Sequence, residues 1–154
     1  MENIKNLTVE FRGIEIIPNS NGGYIQITLA NHAEKRMIKE NFFLGKTAIK
    51  NTLINLGFWI RNLVKNDEEF QLPDPEYLAM VEGKDPQEAY QEVVNQAIEE
   101  LKTLIGKEIE VHQEKTTATN RLGVTGTYYN IRPWKYEPNS VEADTAGTDF
   151  KGFI

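Results

Sequence analysis

The sequence predicts a mainly β fold with helices, of the α+β class: a five-stranded Greek-key barrel with a helix and a helical acidic insertion between its third and fourth strands. Three observations predict it. Period-two alternation of apolar and polar residues marks the segments Leu7 to Leu44 and Lys107 to Tyr136. Two runs of three- and four-residue apolar spacing, from Gly45 to Val64 and from Pro86 to Ile105, lie between them. The stretch 67–100 carries a net charge of −10 on a chain whose total is −6.

The first strand, Leu7 to Ile17, alternates as Leu7, Val9 and Phe11, then resumes on the other parity after Gly13 as Ile14 and Ile16. A glycine at a change of parity is where a strand takes a bulge or bend and serves two sides of a barrel. The sequence PNSNGG, Pro18 to Gly23, is a turn by composition and makes the first two strands a hairpin. Tyr24 to Ala30 places Ile25, Ile27 and Leu29 inward and Tyr24, Gln26 and Thr28 outward. A polar connection, Asn31 to Arg36, leads to a third strand, Met37 to Leu44.

From Gly45 to Val64, apolar residues at Ile49, Leu53, Leu56, Ile60, Leu63 and Val64 predict an amphipathic helix that Gly57 divides into two pieces. Its GKT is no phosphate-binding loop, because Glu40 stands where that motif needs its first glycine. Asn66 to Pro86, with three prolines, is expected to be a loop. Asp85 as cap and Pro86 as first residue begin a second helix, which Gly106 ends. The last two strands follow. Ile109, Val111, Tyr129 and Ile131 are expected in the core; Tyr128, Arg132, Trp134 and Tyr136 lie opposite, and the basic loop TTATNRLGVTG joins the strands. The expected organisation is one domain over residues 1–136, with 67–100 as an acidic insertion, and a flexible acidic tail over 137–154.

Composition narrows the chemistry. The chain has no cysteine, which excludes disulfides and thiolate zinc sites and fits a reducing cytoplasm. Its first residues show no basic start followed by an apolar run, and no apolar stretch nears the roughly 20 residues that cross a bilayer, so no membrane association is expected. His32 and His112 lack partners at metal-ligand spacing and are expected to be surface residues. With no nucleophile elbow, dinucleotide loop or paired Cys/His set, the sequence predicts neither an enzyme nor a cofactor or metal site.

The charge is unevenly spread. Residues 1–66 carry +4 and residues 101–136 carry +3, so the deficit lies in the insertion and in the tail, which carries −3. On the basic segments, aromatics interleave with cations. The candidate nucleic-acid-binding residues are Tyr24, Phe43, Tyr128 and Trp134 for stacking on bases, with Arg12, Lys39, Lys115, Arg121, Arg132 and Lys135 for phosphates.

Three strands, a helix and a final hairpin is the order of the OB-fold, a Greek-key barrel that binds oligonucleotides. The segments GYIQITLA, NFFLGKTAIKNTLINLGF and LIGKEIEVHQEKTTATNRLGVTGTYYNIRPW resemble small phage-encoded single-stranded DNA-binding proteins of the OB-fold type, over about residues 7 to 136. That resemblance implies a protein of the host cytoplasm that coats single-stranded DNA in replication or recombination, with little sequence specificity. It also implies replication or recombination proteins as partners of the C-terminal tail, and it is compatible with a homo-oligomer. The competing expectation is a protein-interaction module, again phage-encoded, whose acidic insertion inhibits or recruits a partner protein.

Overall fold

The computed structural model describes residues 3–137, so the expected tail from residue 138 onward lies outside the described residues. The described chain is mainly β, with one five-stranded antiparallel sheet and three helices. The strands are β1 (Ile4–Ile17), β2 (Tyr24–Asn31), β3 (Arg36–Phe43), β4 (Glu108–Thr119) and β5 (Thr125–Arg132), in the spatial order β3-β2-β1-β4-β5. Between β3 and β4 come α1 (Ile49–Ile60), α2 (Pro75–Glu82) and α3 (Pro86–Lys102).

β1 organises the sheet by dividing its length. Its first half, Ile4 to Glu10, pairs with β4, and its second half, Glu10 to Ile17, pairs with β2. This offset and the bulge expected at Gly13 curl the sheet. Leu29 stands opposite Phe11 and Thr28 opposite Gly13, which leaves Arg12 as the extra residue. Phe11 itself is sealed by the chain leaving α3: its N–H donates to the Lys107 carbonyl at 2.9 Å and its carbonyl accepts from the Gly106 N–H at 2.8 Å. Gly106 makes this turn at φ +85°, a conformation that disfavours residues with a side chain.

The three helices cover one face of the curled sheet. Leu7, Val9, Phe11, Ile25, Ile27, Leu29, Ile109 and Val111 meet Leu53, Leu56, Trp59 and Ile60 of α1, and Val93, Ala97 and Leu101 of α3, in one core. Trp59 joins the layers, edge-on to Phe11 at 6.4 Å and to Phe42 at 6.2 Å.

Several expectations need correction. Gly57 does not divide the first helix; it is buried within α1, and the irregularity comes later, as a π-turn over Arg61–Lys65 that Asn66 ends at φ +49°. The segment 66–86 is not all loop. Asp74 caps α2, its carboxylate accepting from the Glu76 N–H at 3.0 Å, Pro75 opens the helix and Gly83 closes it. Phe70, Leu72 and Leu78 of this segment pack on the core, whereas Tyr77 and Met80 are exposed. His112 is not at the surface but 1% exposed. The predicted loop TTATNRLGVTG is mostly strand: β4 and β5 continue as a two-stranded arm beyond the point where β1 begins. Tyr129 shares a face with Ile131 but stands on that arm, outside the core and 56% exposed.

The arm ends in a short tip. Asn120 accepts from the Leu122 and Val124 N–H groups through its side chain, at 2.8 and 3.1 Å, and from the Gly123 N–H through its carbonyl at 3.0 Å. Gly123, at φ +82°, supplies the left-handed residue that such a hairpin turn requires. Among the described residues, no helix is long and apolar enough to cross a membrane.

Candidate nucleic-acid interface

Alternation along β2 and β3 builds the first part of the site on the face turned away from the helices. Tyr24 stands opposite Phe43, with ring centroids 5.5 Å apart and planes inclined by 49°. On the same face the next pair is Gln26 and Asn41, whose side-chain amides hydrogen-bond at 3.0 Å, followed by Thr28 opposite Lys39 and Ala30 opposite Met37. At about 3.4 Å per residue this stripe is roughly 20 Å long. It presents an aromatic pair, an amide pair, a cation and a thioether in sequence. Phe43 is 51% exposed. Arg12 reaches the same outer face from the bulge of β1, where it pairs with Glu10 at 3.5 Å. Glu10 also accepts from His32 at 2.8 Å; that hydrogen bond, more than the nearby Arg12, holds its carboxyl below the usual carboxylate range.

The arm forms the second part. Thr116 is opposite Tyr128 and Ala118 opposite Gly126 on one side; Lys115 is opposite Tyr129 and Thr117 opposite Thr127 on the other. A β-carbon at Gly126 would stand 3.1 Å from the Tyr128 hydroxyl, so the ring lies along the arm in the space that the glycine leaves. Each side of the arm thus carries one exposed aromatic, with Lys115 beside Tyr129 and Arg121 at the tip.

Of the remaining predicted residues, the fold holds Arg132 and Trp134 and leaves Lys135 exposed. Arg132 pairs with Glu114 at 3.5 Å. Pro133 ends β5, and the chain then folds back over β4: Trp134 lies edge-on between Phe58 (6.2 Å) and His112 (5.7 Å), and Tyr136 exchanges two hydrogen bonds with Asn6. His112 donates from Nδ1 to the Trp134 carbonyl at 2.8 Å, and its Nε2 faces Glu114 at 3.1 Å. Trp134 is therefore packed on two sides, while Lys135 beside it points outward. Lys39, Lys115, Arg121 and Lys135 are all exposed and form no ion pair among the described residues.

The structure thus gathers Arg12, Tyr24, Lys39 and Phe43 on one surface, and Lys115, Arg121 and Tyr128 on another. Between the two lies a seam: β3 and β5 end the sheet, no backbone ladder joins them, and the curl brings Glu40 of β3 beside the Ile131 N–H and the Arg132 guanidinium of β5. Burial pushes the Glu40 carboxyl up to about 7, against the opposing pull of those two groups. Sequence reasoning missed Asn41, Met37, Tyr129 and Glu40 as members of this region. The first two share the outward parity of Lys39 and were legible from it.

Electrostatics separates the sheet's outer surface into halves. On β4 the outward residues include Glu108 and Glu110, with Glu108 directly opposite Glu10, whereas β2 and β3 present Lys39 and no outward carboxylate. The acidic insertion, which comprises α2 and most of α3, belongs to the helical layer, where α2 packs on α3, α3 packs on α1 and Lys50 of α1 pairs with Glu76, away from this outer face. Among the described residues no group of three or more potential ligands could hold a metal ion. No family model, no curated protein and no solved structure matches this chain.

Proposed function

We propose that the protein binds single-stranded DNA with little sequence specificity, in phage DNA replication or recombination, by sequestration and without covalent chemistry. The observation that carries this reading is the paired surface just described, an outer β2–β3 stripe with exposed Phe43 and a projecting arm with exposed Tyr128, both served by cations that have no ion-pair partner among the described residues. Aromatic platforms and a cationic track are the two parts that sequence-tolerant binding of single strands requires.

The strand order supports an OB-type barrel. An OB barrel cut open between its third and fifth strands leaves the order β3-β2-β1-β4-β5, and Glu40 lies at that cut. In such a barrel the outer face of β2 and β3 and the loop between β4 and β5 form the binding surface, which here is the arm. Tyr24, Phe43 and Tyr128 stack on bases, Gln26 and Asn41 offer amides to base edges, and Lys39, Lys115 and Arg121 meet phosphates. Trp134 supports the fold beneath them.

Replacing Tyr128 or Phe43 by alanine is expected to cost roughly 1 to 3 kcal/mol of affinity for oligo-dT, the contribution of one stacked base, with unchanged melting behaviour. Fluorescence anisotropy with labelled oligo-dT measures this directly. Unchanged affinity in both variants contradicts the reading.

A further inference from the structure

Two exposed apolar patches of opposite electrostatic character have no role in the proposed DNA reading, one on the helical layer and one at the tip of the arm, beside Arg121. The first is on α2, where Tyr77, Met80 and Val81, at positions i, i+3 and i+4 of one helical face, are 59%, 74% and 59% exposed. The surrounding segment 67–85 carries seven carboxylates and one lysine. The second is the arm tip, where Leu122 is 87% and Val124 60% exposed beside Arg121, on a segment, 115–129, with two cations and no carboxylate.

Topology puts the patches at opposite ends of the molecule. The arm extends past the end of the sheet at which β1 begins. In an antiparallel sheet of order β3-β2-β1-β4-β5, β1, β3 and β5 run the same way, so the arm leaves from the end where β3 also begins. The helical layer is reached from the other end. α1 follows the last residues of β3, its Thr52 hydroxyl donates to the Phe43 carbonyl at 2.6 Å, and its Lys50 pairs with Glu76 of α2 at 2.9 Å. The tip of one molecule therefore meets the α2 patch of another more directly than its own.

We propose that copies of this chain associate head to tail, the arm tip of one (Arg121, Leu122, Val124) seated on the α2 stripe of the next (Tyr77, Met80, Val81). The occupant is a second copy because the two surfaces match in both respects: apolar side chains meet apolar side chains, and an arm free of carboxylates meets the most acidic part of the chain. Such a contact joins different surfaces on the two partners, so it leaves one arm and one patch unused at the ends and grows into chains. It leaves the outer β2–β3 stripe uncovered, and the charge component makes it salt-sensitive.

Sedimentation equilibrium of the full chain at low salt, without nucleic acid, tests this. The wild type is expected to exceed its monomer mass of 17.6 kDa increasingly with concentration. Leu122→Asp on the tip and Met80→Lys on α2 each place a like charge in the contact, and each is expected to weaken association by ~10-fold or more. Both positions are exposed, and an unchanged circular dichroism spectrum and melting temperature verify the fold. The decisive arm mixes the two variants: the intact tip of Met80→Lys fits the intact patch of Leu122→Asp, so the mixture forms a dimer and nothing larger. A wild type that stays monomeric, a variant that associates as the wild type does, or a mixture that remains monomeric each overturns the proposal. With no DNA in the assay, those results leave the nucleic-acid reading untouched, and loss of DNA binding leaves this one untouched.

Discussion

At pH 8, Glu40→Gln is expected to be more stable than the wild type by on the order of 3 kcal/mol, while below pH 4.5 the two proteins converge. Glu40 is partly buried at the seam between β3 and β5, and its carboxyl is raised from 4.5 to about 7, chiefly by burial. A carboxyl raised by folding holds its proton more tightly in the native state than in the unfolded chain. Between pH 4.5 and 7 the native state therefore binds more protons, and stability falls as pH rises through that window. The difference of roughly 2.5 pH units, at 1.36 kcal/mol each, sets the size. Glutamine keeps a carbonyl oxygen for the Ile131 N–H and cannot ionise, so the variant lacks this loss. The carboxylates held low by partners, Glu10, Glu34 and Glu76, act in the opposite sense and at lower pH, and they are common to both proteins. Urea unfolding of both at pH 5 and pH 8 measures the effect. A stability difference between them that does not grow with pH contradicts it.

Trp59→Ala is expected to cost 3 to 5 kcal/mol, a large share of the total stability of a domain of this size. The indole is 2% exposed and touches Phe11 on β1 and Phe42 on β3, so it fastens α1 to both sides of the bend in the sheet. Alanine leaves a cavity among side chains that the sheet holds in place. Trp59→Phe retains part of the contact and is expected to lose less. Denaturant midpoints for the three proteins check the order, and an alanine variant within 1 kcal/mol of wild type shows that α1 is not anchored there.

What the sequence disclosed follows from how local each signal is. The alternation of β2 and the bulge at Gly13 are written in neighbouring residues, and the structure has both; the second helix, expected to run to Gly106, ends at Lys102, and Gly106 closes the turn that follows it. α2 was missed although Asp74-Pro75 repeats the pattern of Asp85-Pro86, because a short helix among prolines and carboxylates has little apolar periodicity to show. The arm was read as a loop since threonine, glycine and asparagine suit both, and only the pairing of Thr117 with Thr127 and Thr119 with Thr125 makes it a ladder. Trp134 and His112 mark a different limit. Parity set both opposite the core face, but Trp134 lies beyond the end of β5 and packs on Phe58 of α1, and the cover over His112 comes from a segment that crosses β4 to reach Asn6, 130 residues away in the chain. Which outward residues stay free for a ligand depends on such crossings, and alternation carries no trace of them.

The dependence of oligo-dT affinity on salt tests the central claim most directly. With Lys39, Lys115 and Arg121 exposed and without ion-pair partners among the described residues, the logarithm of the association constant is expected to fall linearly with the logarithm of salt concentration, with a slope of about −2 for three phosphates on a single strand. Absence of binding at low salt, or an affinity that does not change with salt, contradicts the account.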